Sequence, residues 1–334
     1  MREPPFWWRK PGAAAQLLAP IAAGYGLIAA ARLRRAGQRA AVPVVCVGNL
    51  TVGGGGKTPT AIAVARLFLR AGLRPVFVTR GYGGALAGPV RVGANARAAE
   101  VGDEPLLLAR VAPTIVARNR VAGAAAAVQE NADVIVMDDG LQNPSLVKDA
   151  AIVALDGRRG VGNARGIPAG PLRAPLDIQL GRVHALLVVG DAAASASAVI
   201  DEARRRGLQV FAGRLEPDAT VAADLKNRRL LAFAGIADPG KFFATLAQAG
   251  LAVAAAIDFP DHHPYSSADA ARLIARAKRE DLQLVTTEKD AARLQGNPAL
   301  SELAARSKPF PVALVVAQQQ RLRAFLRERT SLPI

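Results

Sequence analysis

At 334 residues the chain has room for one to three domains, and with 51% hydrophobic residues it can bury a sizeable core, although aromatics supply only 4%. The net charge of +16, dominated by arginine, suits nucleic acid, an anionic membrane surface or phosphorylated substrates, and alone excludes none of them. The single cysteine, Cys46, lies in an apolar run, which excludes an internal disulfide and a cysteine-based metal site and fits a reducing compartment.

The first informative stretch is residues 13–31, which carry no charge. As a helix they would run roughly 28 Å, close to the hydrocarbon thickness of a bilayer. Trp7, Trp8, Arg9 and Lys10 precede them, and Arg32, Arg34 and Arg35 come after, a flanking pattern that suits a headgroup boundary. Alanine, Pro20, Gly24 and Gly26 make the segment weak for a full span. Its larger groups Leu17, Ile21 and Ile28 fall at helical spacing and give one apolar face. The preferred reading is a helix lying in the membrane interface. A full span, a cleaved signal peptide and a core helix are the alternatives.

Residues 44–58, VVCVGNLTVGGGGKT, organise the rest of the chain. A run rich in β-branched residues reads as a buried parallel strand, and a helix over 59–70 with a glycine stop at Gly72 succeeds the loop. Strand, glycine loop, lysine, hydroxyl and helix form a phosphate-binding layout. Its loop supplies Thr51, Val52, Gly53, Gly54, Gly55, Gly56, Lys57 and Thr58 as candidate nucleotide contacts. Glycine permits the backbone angles that aim N–H groups at an anion, and the helix start adds partial positive charge there. Lys57 would reach the β- and γ-phosphates of ATP, and the Thr58 hydroxyl would bind Mg²⁺. Thr51 stands where the usual pattern has glycine.

A second strand over 75–79 ends in Arg80-Gly81-Tyr82-Gly83-Gly84, which reads equally as a pocket edge or a tight turn. Gly102-Asp103-Glu104-Pro105 opens an apolar helix. Asp103 reads either as its N-cap or as a general base, and this stretch alone favours the cap. A strand over 114–117 and a helix over 120–130 lead to the run at 134–142, where an apolar strand ends in Asp138 and Asp139. Acids there hold Mg²⁺ directly or through water, and alternation gives the two different surroundings. A strand over 151–155 precedes a Gly/Pro-rich loop bearing Arg158, Arg159, Arg165 and Arg173, which either receive phosphates or are simply solvated. A strand over 185–189 and a helix over 193–206 close this part.

A second α/β unit is expected from Leu208, with strands over 208–212, 229–234, 251–257, 283–286 and 312–316 and intervening helices near 239–249 and 268–279. The expected organisation is therefore a membrane-associated helix (1–36), a phosphate-loop domain with a parallel sheet (37–207), a smaller α/β domain (208–316) and a terminal helix packing back on the first domain (317–334). Two loops of the second unit are rich in chemistry. Asp258-Phe259-Pro260-Asp261-His262-His263-Pro264-Tyr265 has adjacent histidines that point apart, which disfavours zinc and allows a histidine assisting a carboxylate base. Thr286-Thr287-Glu288-Lys289-Asp290 could cap a helix or meet a nucleotide base, and it lacks the guanine-specifying order. His184 opens a strand and reads as structural.

Eight ordered blocks make the chain resemble the tetraacyldisaccharide 4′-kinase (lipid A 4′-kinase) family of Gram-negative bacteria over almost its whole length. They are GNLTVGGGGKTP at Gly48, with threonine replacing glycine as in that family, RGYGG at Arg80, GDEP at Gly102, DDGLQ at Asp138, PAGPLR at Pro168, AFAGIADP at Ala232, FPDHHPY at Phe259 and TTEKDAAR at Thr286. The resemblance implies transfer of the γ-phosphate of ATP to the 4′-hydroxyl of a tetraacylated glucosamine disaccharide 1-phosphate, making lipid IVA. It implies an enzyme on the cytoplasmic face of the inner membrane, in contact with anionic lipids and not with nucleic acid. Lys57 and the loop would hold the phosphates, Thr58 with Asp138 or Asp139 would position Mg²⁺, and Asp103 matches the family's proposed base with His262 as partner. A membrane-attached nucleotide switch and a nucleic-acid-stimulated ATPase are the competing classes; strong salt dependence would mark the latter. The sequence sets neither oligomeric state nor the roles of Arg80, Tyr82 and Arg173.

Overall fold

The computed structural model describes residues 3–334; Met1 and Arg2, the start of the expected N-terminal segment, lie outside the described residues. The strands are β1 (Val44–Gly48), β2 (Pro75–Thr79), β3 (Val90–Arg91), β4 (Thr114–Val116), β5 (Val134–Asp138), β6 (Ala150–Asp156), β7 (Ala185–Val189), β8 (Gln209–Pro217), β9 (Arg229–Ala234), β10 (Ala252–Asp258), β11 (Gln283–Thr286), β12 (Ser307–Pro309) and β13 (Val312–Val316). Nine of them form one sheet in the order β13-β8-β7-β6-β1-β5-β2-β4-β3, and four form a second in the order β10-β9-β11-β12. Every residue of β1, β2, β5, β6 and β7 is buried, as continuous apolar runs covered by helices on both faces should be.

β1 lies between β5 and β6, parallel to both, with Val47 opposite Asp138 and Gly48 opposite Val153. This central position brings the loop after β1 and the acids ending β5 to the same carboxyl edge, where open α/β sheets bind ligands. Helix Lys57–Arg70 covers one face with Ala61, Val64, Ala65 and Phe68. The terminal helix Gln319–Thr330 adds Leu322, Phe325 and Leu326 to that same core.

The expected boundary at residue 208 is corrected. β8 pairs parallel with β7, and β13 pairs antiparallel with β8, so both belong to the large sheet. The smaller sheet is built only from segments between Arg229 and Pro309. Strand pairing is a long-range choice: the half-buried pattern of β8 does not say which neighbour it will find.

The N-terminal segment is two helices, Ala13–Leu17 and Ala19–Leu33, broken near Leu18 with Pro20 in the first turn of the second. Leu17, Leu27 and Ile28 are 81%, 73% and 73% exposed, and Ile21 also faces outward. The tryptophans correct the expected headgroup pattern. Trp7 is buried and donates its indole N–H to the Pro168 carbonyl at 3.0 Å, while the Arg159 guanidinium lies 4.7 Å from the ring centre of Trp8. Both rings are engaged by the loop after β6.

Candidate active site

The loop after β1 turns on two glycines with left-handed backbone, Gly53 (φ 95°) and Gly56 (φ 85°), the second capping helix Lys57–Arg70. Thr51 is not among the positive-φ residues, so its position needs no glycine, and it bridges Leu172 instead. Val52 N–H donates to the Pro171 carbonyl at 2.9 Å, which ties the phosphate loop to the PAGPLR loop. Asn49 Nδ2 and Lys57 Nζ both donate to the Gly53 carbonyl, at 3.0 and 3.1 Å. Burial lowers the pKa of Lys57, against the pull of Asp139.

The two acids of β5 occupy different surroundings, as alternation requires. Asp138 is buried and accepts the Thr58 hydroxyl on Oδ2 at 3.0 Å; among the described residues its buried Oδ1 has no partner. Burial, helped by the Asp139 charge, pushes its pKa up to about 6. Asp139 has left-handed backbone (φ 53°), a strained conformation of the kind found at functional sites. Its carboxylate lies 3.9 Å from Lys57 Nζ and 2.8 Å from Arg173 Nη1. Burial would raise its pKa, but Lys57 and Arg173 outweigh this and hold it below the usual carboxylate value. Arg173 also donates Nε to the Thr51 carbonyl at 2.9 Å, so it is held against the phosphate loop and Asp139 and is not simply solvated.

Across the cleft, helix Asp103–Ala109 begins after Gly102 (φ 91°), which occupies the cap position without a side chain. The expectation that Asp103 is the N-cap is therefore corrected: it is the first helical residue. Its Oδ1 accepts the Glu104 N–H at 3.1 Å and lies 3.5 Å from His262 Nδ1, and its Oδ2 accepts the Nε and Nη2 hydrogens of Arg293. Burial works to raise the Asp103 pKa. The His262 contact, the Glu104 N–H and the charges of Lys289 and Arg293 overcome it and hold the carboxyl far below its ordinary range. In turn the contact with Asp103 raises the His262 pKa above its ordinary 6.5. His262, also left-handed (φ 55°), packs against Tyr82 with ring centres 5.1 Å apart. His263 turns the other way, onto Asp269 at 3.0 Å.

Lys289 pairs with Glu104 at 2.7 Å, so helix Glu288–Leu294 of the smaller sheet is ionically joined to helix Asp103–Ala109 of the larger one. Ligand atoms of Asp103, Glu104 and His262 lie within 4.8 Å of one another. Arg293 and Lys289 already neutralise the two carboxylates, which argues against a metal there. The sequence did not single out Glu104 or Arg293 as site residues, and it offered Lys289 only as part of a loop that could cap a helix or meet a nucleotide base; only the meeting of two sheets shows that Lys289 pairs with Glu104 and Arg293 with Asp103. It also passed over Arg120, which is buried, donates to the Ala117 carbonyl and, among the described residues, leaves Nε without a partner.

One cavity of about 1590 Å³ is lined by the phosphate loop, Asp138, Asp139, Arg173 and His262, and at its rim by Tyr25 and Ile28 of the N-terminal helix. Asp103 is only 3% exposed and stands behind His262. Anions, a divalent cation and a hydroxyl-bearing acceptor could therefore meet in one place, with a histidine–carboxylate pair at hand.

The profile of the family described as tetraacyldisaccharide-1-P 4′-kinase matches residues 14–331. The chain is 54% identical over 333 residues to the tetraacyldisaccharide 4′-kinase of Methylobacterium sp. (strain 4-46), covering 98% of this chain and 99% of that one. It is 51% identical over 329 residues to that of Afipia carboxidovorans, covering 98% and 97%. A crystal structure of LpxK from Aquifex aeolicus in complex with ATP superposes with a TM-score of 0.73 at 26% identity, covering 95% of this chain and 99% of that one.

Proposed function

The chain belongs to the tetraacyldisaccharide-1-P 4′-kinase family, and from that premise we propose that it phosphorylates the 4′-hydroxyl of a tetraacylated glucosamine disaccharide 1-phosphate with ATP, giving lipid IVA. The observation that carries the reading is the single cleft holding the phosphate loop, the paired acids and His262.

Loop N–H groups and Lys57 bind the polyphosphate. Lys57 is poised for this, because among the described residues its buried ammonium meets only the Gly53 carbonyl and a distant Asp139. Mg²⁺ fits the donor set. Asp138 Oδ1 is buried and unpartnered, Asp139 adds a second carboxylate beside it, and Thr58 supplies a hydroxyl already on Asp138. Bound there, the ion would neutralise charge on the phosphoryl oxygens. Arg173 and Lys57 hold Asp139 in register from either side.

His262 presents its ring to the cleft and takes the proton of the attacking hydroxyl, while Asp103 orients the imidazole and stabilises its cation. Arg293 locks the Asp103 carboxylate, so the pair is preorganised. Asp103 thus acts through His262, the reverse of the order that the resemblance implies.

The greasy acceptor would be met at the bilayer surface. Among the described residues no helix is long and apolar enough to cross a membrane. The outward Leu17, Ile21, Leu27 and Ile28 support seating of the N-terminal helices in the interface, on the cytoplasmic face where ATP is available. The decisive experiment is incubation of purified protein with ATP, Mg²⁺ and the lipid disaccharide in detergent. The reading requires a phosphorylated lipid at the 4′ position; ATP hydrolysis without it would sink the kinase assignment.

A further inference from the structure

The N-terminal segment touches the phosphate loop through one acid. Glu3 is largely buried. Its Oε2 accepts the indole N–H of Trp8 at 3.0 Å and Arg159 Nη1 at 2.9 Å. Among the described residues its Oε1 is buried with no partner, and it sits 2.0 Å from where a Cβ on Gly53 would be, hard against the left-handed glycine of the loop. Arg159 is shared: its Nη2 pairs with Asp238, beside the smaller sheet, at 3.0 Å. The segment is held on the other side by Trp7, whose carbonyl accepts the Asn163 N–H at 2.8 Å. Burial also pushes the Glu3 carboxyl above its ordinary value.

A carboxylate oxygen with no donor is costly inside a protein. Here it lies at the rim of a site shaped for anions, where it opposes any polyphosphate. Resting on the reading of this loop as the ATP site, we infer that Glu3 is a displaceable plug: its carboxylate covers the loop rim at Gly53, and ATP drives it out. Its departure leaves Arg159 to its second partner, Asp238. Nucleotide binding and the posture of the segment leading into the membrane-facing helices are then one equilibrium.

The chain carries two tryptophans, both in this segment, so intrinsic fluorescence reports on it alone. ATP with Mg²⁺, titrated into the full chain, should red-shift the tryptophan emission and raise its quenching by acrylamide as Trp8 loses Glu3 and Arg159. Glu3→Gln and Glu3→Ala should each bind ATP about fivefold tighter by calorimetry, the weight of one like-charge contact at about 4 Å in water. ATP that binds with unchanged emission and quenching, or variants that bind no tighter than wild type, would overturn the plug. Failure of the wild-type chain to bind ATP would overturn the ATP-site reading itself, and the plug with it. Should either variant fold poorly, the wild-type fluorescence titration still decides.

Discussion

Lys57 and His262 do different jobs and should fail differently. On the proposed reading Lys57 meets the phosphates, so Lys57→Ala should lower kcat for lipid phosphorylation by on the order of 10²-fold or more, with the protein still folded by circular dichroism. Wild-type turnover in that variant would remove the loop from the reaction. His262 must be neutral to accept a proton, and its pKa is raised by Asp103. The rate should therefore fall as pH drops through a value above 6.5, and His262→Ala should lose that acid limb along with about 10²-fold in rate. A profile flat down to pH 5 would return the proton to Asp103, whose carboxyl stays ionised far below that. The same contact contributes to stability in the opposite sense. A histidine whose folded pKa is raised stabilises fully below its unfolded value, and the contribution is lost as pH rises through the folded one.

At the level of elements, the joint between helices Asp103–Ala109 and Glu288–Leu294 is ionic and buried. Arg293, whose side chain is 9% exposed, bridges the buried carboxylates of Asp103 and Asp290. Removing Arg293 leaves Asp290 buried without its cation and Asp103 with only His262 and the charge of Lys289 to offset burial. Arg293→Ala should then lower unfolding free energy by about 3–5 kcal/mol in urea titrations. A loss under about 1 kcal/mol would mean that water enters and replaces the guanidinium. The partner Asp103→Asn keeps the shape and removes the charge. It should reduce kcat far more than ATP affinity, since Asp103 touches neither loop nor acids. Equal losses in both would make it a scaffold residue.

For the whole molecule, two sheets close over one cleft and the N-terminal helices stand at its rim. Ile28 lines that cleft and is largely exposed, so it lies where an acyl chain and a bilayer would meet. Fully burying an isoleucine is worth about 1.5–3 kcal/mol. Ile28→Asp should therefore weaken flotation with anionic vesicles by about tenfold or more, while turnover in detergent changes less. Vesicle binding equal to wild type would place the contact elsewhere, with the basic surface as the next candidate.

The local grammar was legible in the sequence. Apolar β-branched runs marked β1, β2, β5, β6 and β7, because strands buried on both faces need no polar alternation. The phosphate loop and the Asp138–Asp139 pair announced themselves, since their chemistry needs fixed spacing along one strand–loop–helix unit. Tertiary structure decided the rest. It gave β8 and β13 to the large sheet, turned Trp7 and Trp8 from presumed membrane anchors into clamps on a loop, and drew Arg293 and Lys289 onto Asp103 and Glu104. The tryptophan, Arg293 and Lys289 contacts join residues more than a hundred positions apart. Their energy comes from desolvated charge and packed rings that exist only once the chain has closed, so no periodicity or spacing encodes them.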